Sequence, residues 1–180
     1  MLVRFAKAMA LFSLLTAVMT WPQVRHLASD AWPHEDVFFN MWRIGWISHA
    51  LQRAPAQVLD GNIFYPEPRT LTLSDAVLVE SICAAPLLWL GVPIVLVHNI
   101  ILLAGIVLSA VGVWVLVWSL TGSATAGVSA GIVFAFVPYR FDHYMRTRSA
   151  YLTCSSMAWW SCAKGSRRPR FRARFLRILL

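Results

Sequence analysis

An all-α membrane protein with about three transmembrane helices is the fold class this sequence predicts, and three observations carry it. Apolar residues make up 58% of the 180 and charged residues only 13%, where about a quarter charged is usual for a soluble domain. Nine Trp and ten Phe add bulky apolar surface. The charge is also segregated, since seven of the eight acids lie between Asp30 and Glu80 while ten of the sixteen basic residues lie from Arg140 onward. This composition excludes a disordered chain, a disulfide scaffold and most cytosolic enzymes. Cys83, Cys154 and Cys162 form no CxxC pair and leave the redox compartment open.

The elements follow in order. Met1–Trp21 begins with Arg4 and Lys7 and then runs apolar to Met19. A signal peptide has the same start, but no small-x-small pair marks a cleavage site before Trp21-Pro22, so a retained anchor with a cytoplasmic N-terminus is expected. Residues 22–73 form an acid-rich external loop. Within it, Asp36 to Arg53 reads as an amphipathic helix lying along the membrane surface, with Val37, Phe38, Met41, Trp42, Trp46 and Ile47 supplying its apolar surface. Asp36, Asn40 and Arg43 share one of its faces. Two prolines in Asn62–Arg69 forbid a continuing helix. Ile94–Ser119, about 39 Å as a helix, spans easily. Thr121-Gly122-Ser123 is a turn, and Ala124–Pro138 is a short span whose small residues suit close packing.

Ser74–Leu90 decides the topology. If it spans, the cluster Arg140–His143 returns to the cytoplasm; if it lies in the interface, the cluster emerges on the side of Asp36. The basic tail favours the first option, and Asp75, Glu80 and Pro86 inside the segment favour the second. Residue patterning leaves both open. The expected location is the cell inner membrane, multi-pass, with membrane lipid as a partner.

Phosphate-loop, dinucleotide, HExxH and GxSxG motifs are absent. His34-Glu35-Asp36 offers three donor groups, but neighbours on a helix point apart, which makes a weak metal site. A carboxylate at a membrane face is better placed as a general base; the plainer role for Glu35 and Asp36 is to complement the positive end of the following helix. Arg140 and His143, three residues apart, pair on one helical face and suit a phosphate, or else anchor a helix end in the interface. His98 and Asn99 read as structural partners between helices.

Asp36-Val-Phe-Phe-Asn-Met-Trp42-Arg-Ile-Gly-Trp46 and Asp60-Gly-Asn-Ile-Phe-Tyr-Pro-Glu-Pro-Arg-Thr-Leu71 resemble the first external loop of bacterial GT-C-type membrane glycosyltransferases. Pro93–Asn99, Leu120-Thr-Gly122 and Phe134–His143 follow in that family's order, so that the resemblance covers residues 1–145. It implies an enzyme that takes a sugar from a polyprenyl-phosphate carrier at the outer membrane face. It also implies Asp36 as catalytic base, Arg140 and His143 as residues near the carrier phosphate, and possible use of a divalent metal. Membrane-parallel helices in the loop would make Ser74–Leu90 interfacial.

The pattern stops after His143. Residues 146–180 form a basic tail that reads as a frameshifted or degraded end, with no nucleic-acid partner expected. Family members carry many more spans than the three or so read here. The expectation is therefore the N-terminal part of such an enzyme, a truncated GT-C-like fold inactive by itself. The alternative is a small non-enzymatic membrane accessory or scaffold protein. The sugar, the acceptor and the oligomeric state are not encoded in any motif.

Overall fold

The computed structural model describes residues 2–31, 33–75 and 77–138. Among them are five α-helices and no strand: α1 (Leu2–Met19), α2 (Glu35–Arg53), α3 (Leu78–Trp89), α4 (Ile94–Thr121) and α5 (Ala124–Ala135). The all-helical class is as expected. The span count is narrower than expected, because among the described residues only α4 is both long and apolar enough to cross a membrane. Its 28 residues rise about 42 Å, against a hydrocarbon core of about 30 Å. The 18 residues of α1 rise about 27 Å and include Arg4 and Lys7, and the 12 of α5 rise about 18 Å. α3, also 12 residues, is likewise too short to cross.

Two compact units emerge. One holds residues up to Trp21 together with the described residues from Leu103 on; the other is Pro22–Leu102. In the first, α1 turns Ala8, Phe12, Thr16 and Thr20 inward at four-residue spacing, one stripe of a helix. The Thr16 and Thr20 hydroxyls donate to the carbonyls of Phe12 (2.8 Å) and Thr16 (2.7 Å), so their burial leaves no unmet donor. α5 presents Gly127, Gly131 and Ala135 at the same spacing. A Cβ on Gly127 would stand 2.7 Å from the Trp114 carbonyl oxygen, and one on Gly131 would stand 2.9 Å from that of Ala110 and 2.7 Å from Phe12 Cζ. The small-residue face of α5 is thus filled by α4 and α1, the close packing its residues suit. Gly122, at φ +76°, makes the turn between α4 and α5 in a conformation that glycine adopts freely.

In the second unit α2 packs on α3, and Ile44, Ala84 and Val97 form a buried cluster joined by Leu87, Leu88, Val92, Ile94 and Ile101. Much of the apolar surface of α2 is consumed there, since Val37, Met41, Ile44, Ile47 and Ala50 are buried while Phe38 and Phe39 remain outside. The helix is therefore a packed element and not a free amphipathic strip. Asn99 is structural, as expected, but it ties α4 to a loop and not to another helix. Its amide donates to the carbonyls of Leu27 (2.8 Å) and Asp30 (2.9 Å), and its oxygen accepts from Gln23 Nε2 (3.0 Å). Three such bonds at about 0.5–1.5 kcal/mol each hold the loop after α1 against the start of α4. The segment from Asn62 to Arg69 is irregular, as its prolines require, with Phe64 and Arg69 at positive φ.

Candidate functional site

The site is built from the first half of α2. His34 caps the helix: its Nδ1 accepts from the backbone N–H of Asp36 at 3.2 Å. That bond meets one of the donors a helix N-terminus leaves open. The same Nδ1 lies 3.5 Å from Asp36 Oδ2. One nitrogen cannot accept from the amide and donate to the carboxylate at once. With Nδ1 acting as the cap, the Asp36 carboxylate has no hydrogen from His34 and, with its side chain 55% exposed, faces outward. Glu35 is exposed beside it. Both acids sit in the first turn, where the helix dipole stabilises negative charge.

Two turns on, the Asp36–Asn40–Arg43 face predicted from spacing goes from water to full burial. Asn40 and Arg43 are both buried, and Arg43 Nη2 donates to Asn40 Oδ1. Arg43 Nη1 donates to Ser74 Oγ at 3.1 Å and to the backbone carbonyl of Asp75. The guanidinium also lies 4.6 Å from the ring centroid of Phe39, a cation–π contact. Burial lowers the pKa of Arg43, while the charges of Asp75, Asp36 and Glu80 act to raise it. At neutral pH it remains a cation. Arg43 therefore fastens the α3 entry turn to α2, and Trp89 Nε1, donating to Ser48 O at 3.1 Å, fastens the other end of α3.

Spacing alone finds the α2 face but not its partners. The signal for them is in the sequence, because Asp75 and Glu80 interrupt an otherwise apolar segment. Acids in such a place need a cation, and Glu80 is indeed buried within the field of Arg43. Val77, buried at φ +41°, lies between them; a β-branched residue there costs of order 1–3 kcal/mol. Composition gives no hint of it.

As chemistry, the arrangement offers one accessible carboxylate, Asp36, on a rigid element whose inner face is locked by a buried cation. It does not offer a metal centre: among the described residues no three His, Cys, Asp or Glu side chains gather closely enough to hold an ion. His34 and Asp36 make a pair of donors, and a pair alone does not complete the four-ligand or six-ligand shells that Zn²⁺ and Mg²⁺ take. Arg140 and His143, the expected phosphate-binding residues, lie outside the described residues. Compared with known proteins, the sequence matches no family model, no curated protein and no solved structure.

Proposed function

We propose that the chain is a membrane-inserted protein, with α4 and α1 as its spans and α5, too short by itself to cross, packed against them within the bilayer. In this reading it is the N-terminal part of a glycosyltransferase that draws sugar from a polyprenyl-phosphate carrier at the outer membrane face. The membrane half of this reading is supported by which residues each helix keeps inside. α1 buries Thr16 and Thr20 beside Ala8 and Phe12, and α5 buries glycines, while Leu14, Val18, Leu108, Leu120 and Val133 lie outside. Large apolar side chains turned outward, with small and polar ones among those held inside, suit helices solvated by lipid.

The catalytic half is supported by one observation. Asp36 is an accessible carboxylate at the start of a helix held in place by buried contacts, and it occupies the position that the resemblance assigns to the base. The base would accept a proton from the acceptor hydroxyl as the sugar is transferred. Rigidity matters here, since a base misplaced by an ångström forfeits much of its effect. The enclosing cavity would come from further spans.

Two preparations test this: the 180-residue chain, and residues 1–138 joined to the remaining spans of a GT-C-type glycosyltransferase. Each is purified, supplied with polyprenyl-phosphate sugars and candidate acceptors, and assayed for turnover. The chain alone should show none, because it cannot shield a reacting sugar from water. The restored protein should transfer sugar, and Asp36→Asn should cut its rate by ~10²–10⁴. Asp36-dependent transfer by the 180-residue chain would contradict the fragment reading, and an inert restored protein would contradict the enzyme reading.

A further inference from the structure

The outward face of α1 changes character along its length. Arg4, Lys7, Leu11, Leu14 and Val18 are all exposed, and their three- and four-residue spacing makes them one stripe of the helix. The first two members are cations and the rest are apolar. The cations have no counter-ion in their own unit: among its described residues, 2–21 and 103–138, there is no Asp or Glu. The described ion pairs, His26–Asp30 and His34–Asp36, lie in the other unit.

Arg4 is held beside the far end of α4. Its guanidinium carbon lies 5.9 Å from the centre of the Trp118 ring, a cation–π contact. Trp118 is half-buried and tilted against buried Trp114 at 5.0 Å between centroids, and Phe5 meets Trp114 at 6.0 Å. Farther along α1, Phe12 packs with Ala110 against Gly131, so α1 and α4 run antiparallel. Centred in a bilayer, α4 exceeds the hydrocarbon core by about 6 Å, or about four residues, at each end. Trp118 then stands at the hydrocarbon boundary, where tryptophan is favoured, and Arg4 stands there with it.

We infer that Arg4 and Lys7 bind the phosphate of an anionic phospholipid in the leaflet around the start of α1, with its acyl chains along Leu11, Leu14 and Val18. The inference rests on the reading of α1 and α4 as spans and not on Asp36 as a base. Three observations select this ligand. Lys7 lies almost a turn deeper than Arg4, and a cation at that depth needs an anion that the described unit does not supply. A zwitterionic headgroup brings no net charge, whereas an anionic phosphodiester does and accepts charge-assisted hydrogen bonds from both side chains. From Lys7 to Val18 the helix rises about 16 Å, against about 15 Å for one leaflet of the hydrocarbon core, so the apolar part of the stripe matches a lipid chain. A soluble phosphate would leave that part unused.

The test uses the full chain with Cys83, Cys154 and Cys162 replaced by Ser and Leu14→Cys carrying a bimane label, in phosphatidylcholine vesicles. A small fraction of either phosphatidylglycerol or phosphatidylcholine bears a doxyl group midway along one acyl chain. Doxyl-phosphatidylglycerol should quench at a several-fold lower mole fraction, since each cation near a membrane surface contributes about fivefold in affinity for anionic lipid. Arg4→Gln with Lys7→Gln should remove the preference. Arg4→Lys with Lys7→Arg, which keeps both charges, should retain it. Glycerol phosphate should not reduce it beyond sodium chloride of equal ionic strength. Three results overturn the inference: equal quenching by the two lipids, a preference that glycerol phosphate abolishes, and one that survives the double glutamine variant and so belongs to the basic tail. Leu108→Cys, on the exposed side of α4 with Leu14 retained, separates this from the membrane reading, because both doxyl lipids should quench it alike. Equal quenching at Leu14 removes the lipid site alone; absence of quenching at both positions brings down the reading of the spans with it.

Discussion

At the scale of single residues, the contrast between Asp36 and Arg43 organises the second unit. They lie on one face of α2, yet one is accessible and the other sealed. The difference predicts separable phenotypes. Arg43→Ala would leave Asn40 Oδ1 and the Asp75 carbonyl without their donor and should cost about 1–3 kcal/mol, read as a lower melting temperature in detergent. Arg43→Lys should recover only part of it, since an ammonium cannot fork to reach several acceptors as a guanidinium does. In the restored enzyme Asp36→Asn should leave melting unchanged and remove transfer, while Glu35→Gln should affect both little. Equal rate losses in the two acid variants would contradict Asp36 as base. The shared face of Asp36, Asn40 and Arg43 was legible from four- and three-residue spacing. What spacing could not convey is that α3 returns to cover Arg43 but leaves Asp36 open, because that depends on a contact over thirty residues of sequence. A contact within the loop likewise makes Thr70, buried with its hydroxyl 3.2 Å from the Gly61 carbonyl, a poor site for surface labelling despite its place in a polar loop.

At the scale of elements, the glycines distinguish helices that touch from helices that do not. Gly45 in α2 has nothing within 4 Å of where a Cβ would be, so Gly45→Ala should stabilise by about 0.5–1 kcal/mol through helix propensity alone. Gly127→Ala and Gly131→Ala meet backbone oxygens at 2.7 and 2.9 Å that cannot swing aside as a side chain would. Each should destabilise by about 1–3 kcal/mol as the α4–α5 contact is forced apart. Thermal unfolding of the three variants in one detergent checks the signs, and a stabilised Gly127→Ala would refute the packing. Helix positions were largely readable: the α2 boundary at Arg53, the α4 start at Ile94 and the turn at Gly122 follow from prolines, a charge change and a glycine. The short length of α5 was read as well, but that of α3 was not, since hydropathy records an apolar run without recording where the backbone bends inside it. Val77, in the left-handed region at the entry to α3, is such a bend and has no sequence signature.

At the scale of the whole molecule, the claim is that α1 carries the chain across a bilayer and delivers the Asp36 end of residues 22–73 to the far side. Apolar composition and segregated charge pointed to membrane-spanning helices, and among the described residues one helix, α4, is long and apolar enough to cross. The number of crossings was not legible, because α1 mixes two cations into a helix of marginal length. Impermeant-maleimide labelling of intact cells tests the claim directly, with Cys83, Cys154 and Cys162 replaced by Ser and a single cysteine restored at Tyr65 or at Arg4. Tyr65 is 97% exposed, so protection there cannot be attributed to packing. Labelling of Tyr65→Cys in intact cells, with Arg4→Cys labelled only after permeabilisation, is the predicted result; labelling of both positions, or of neither, before permeabilisation would contradict it.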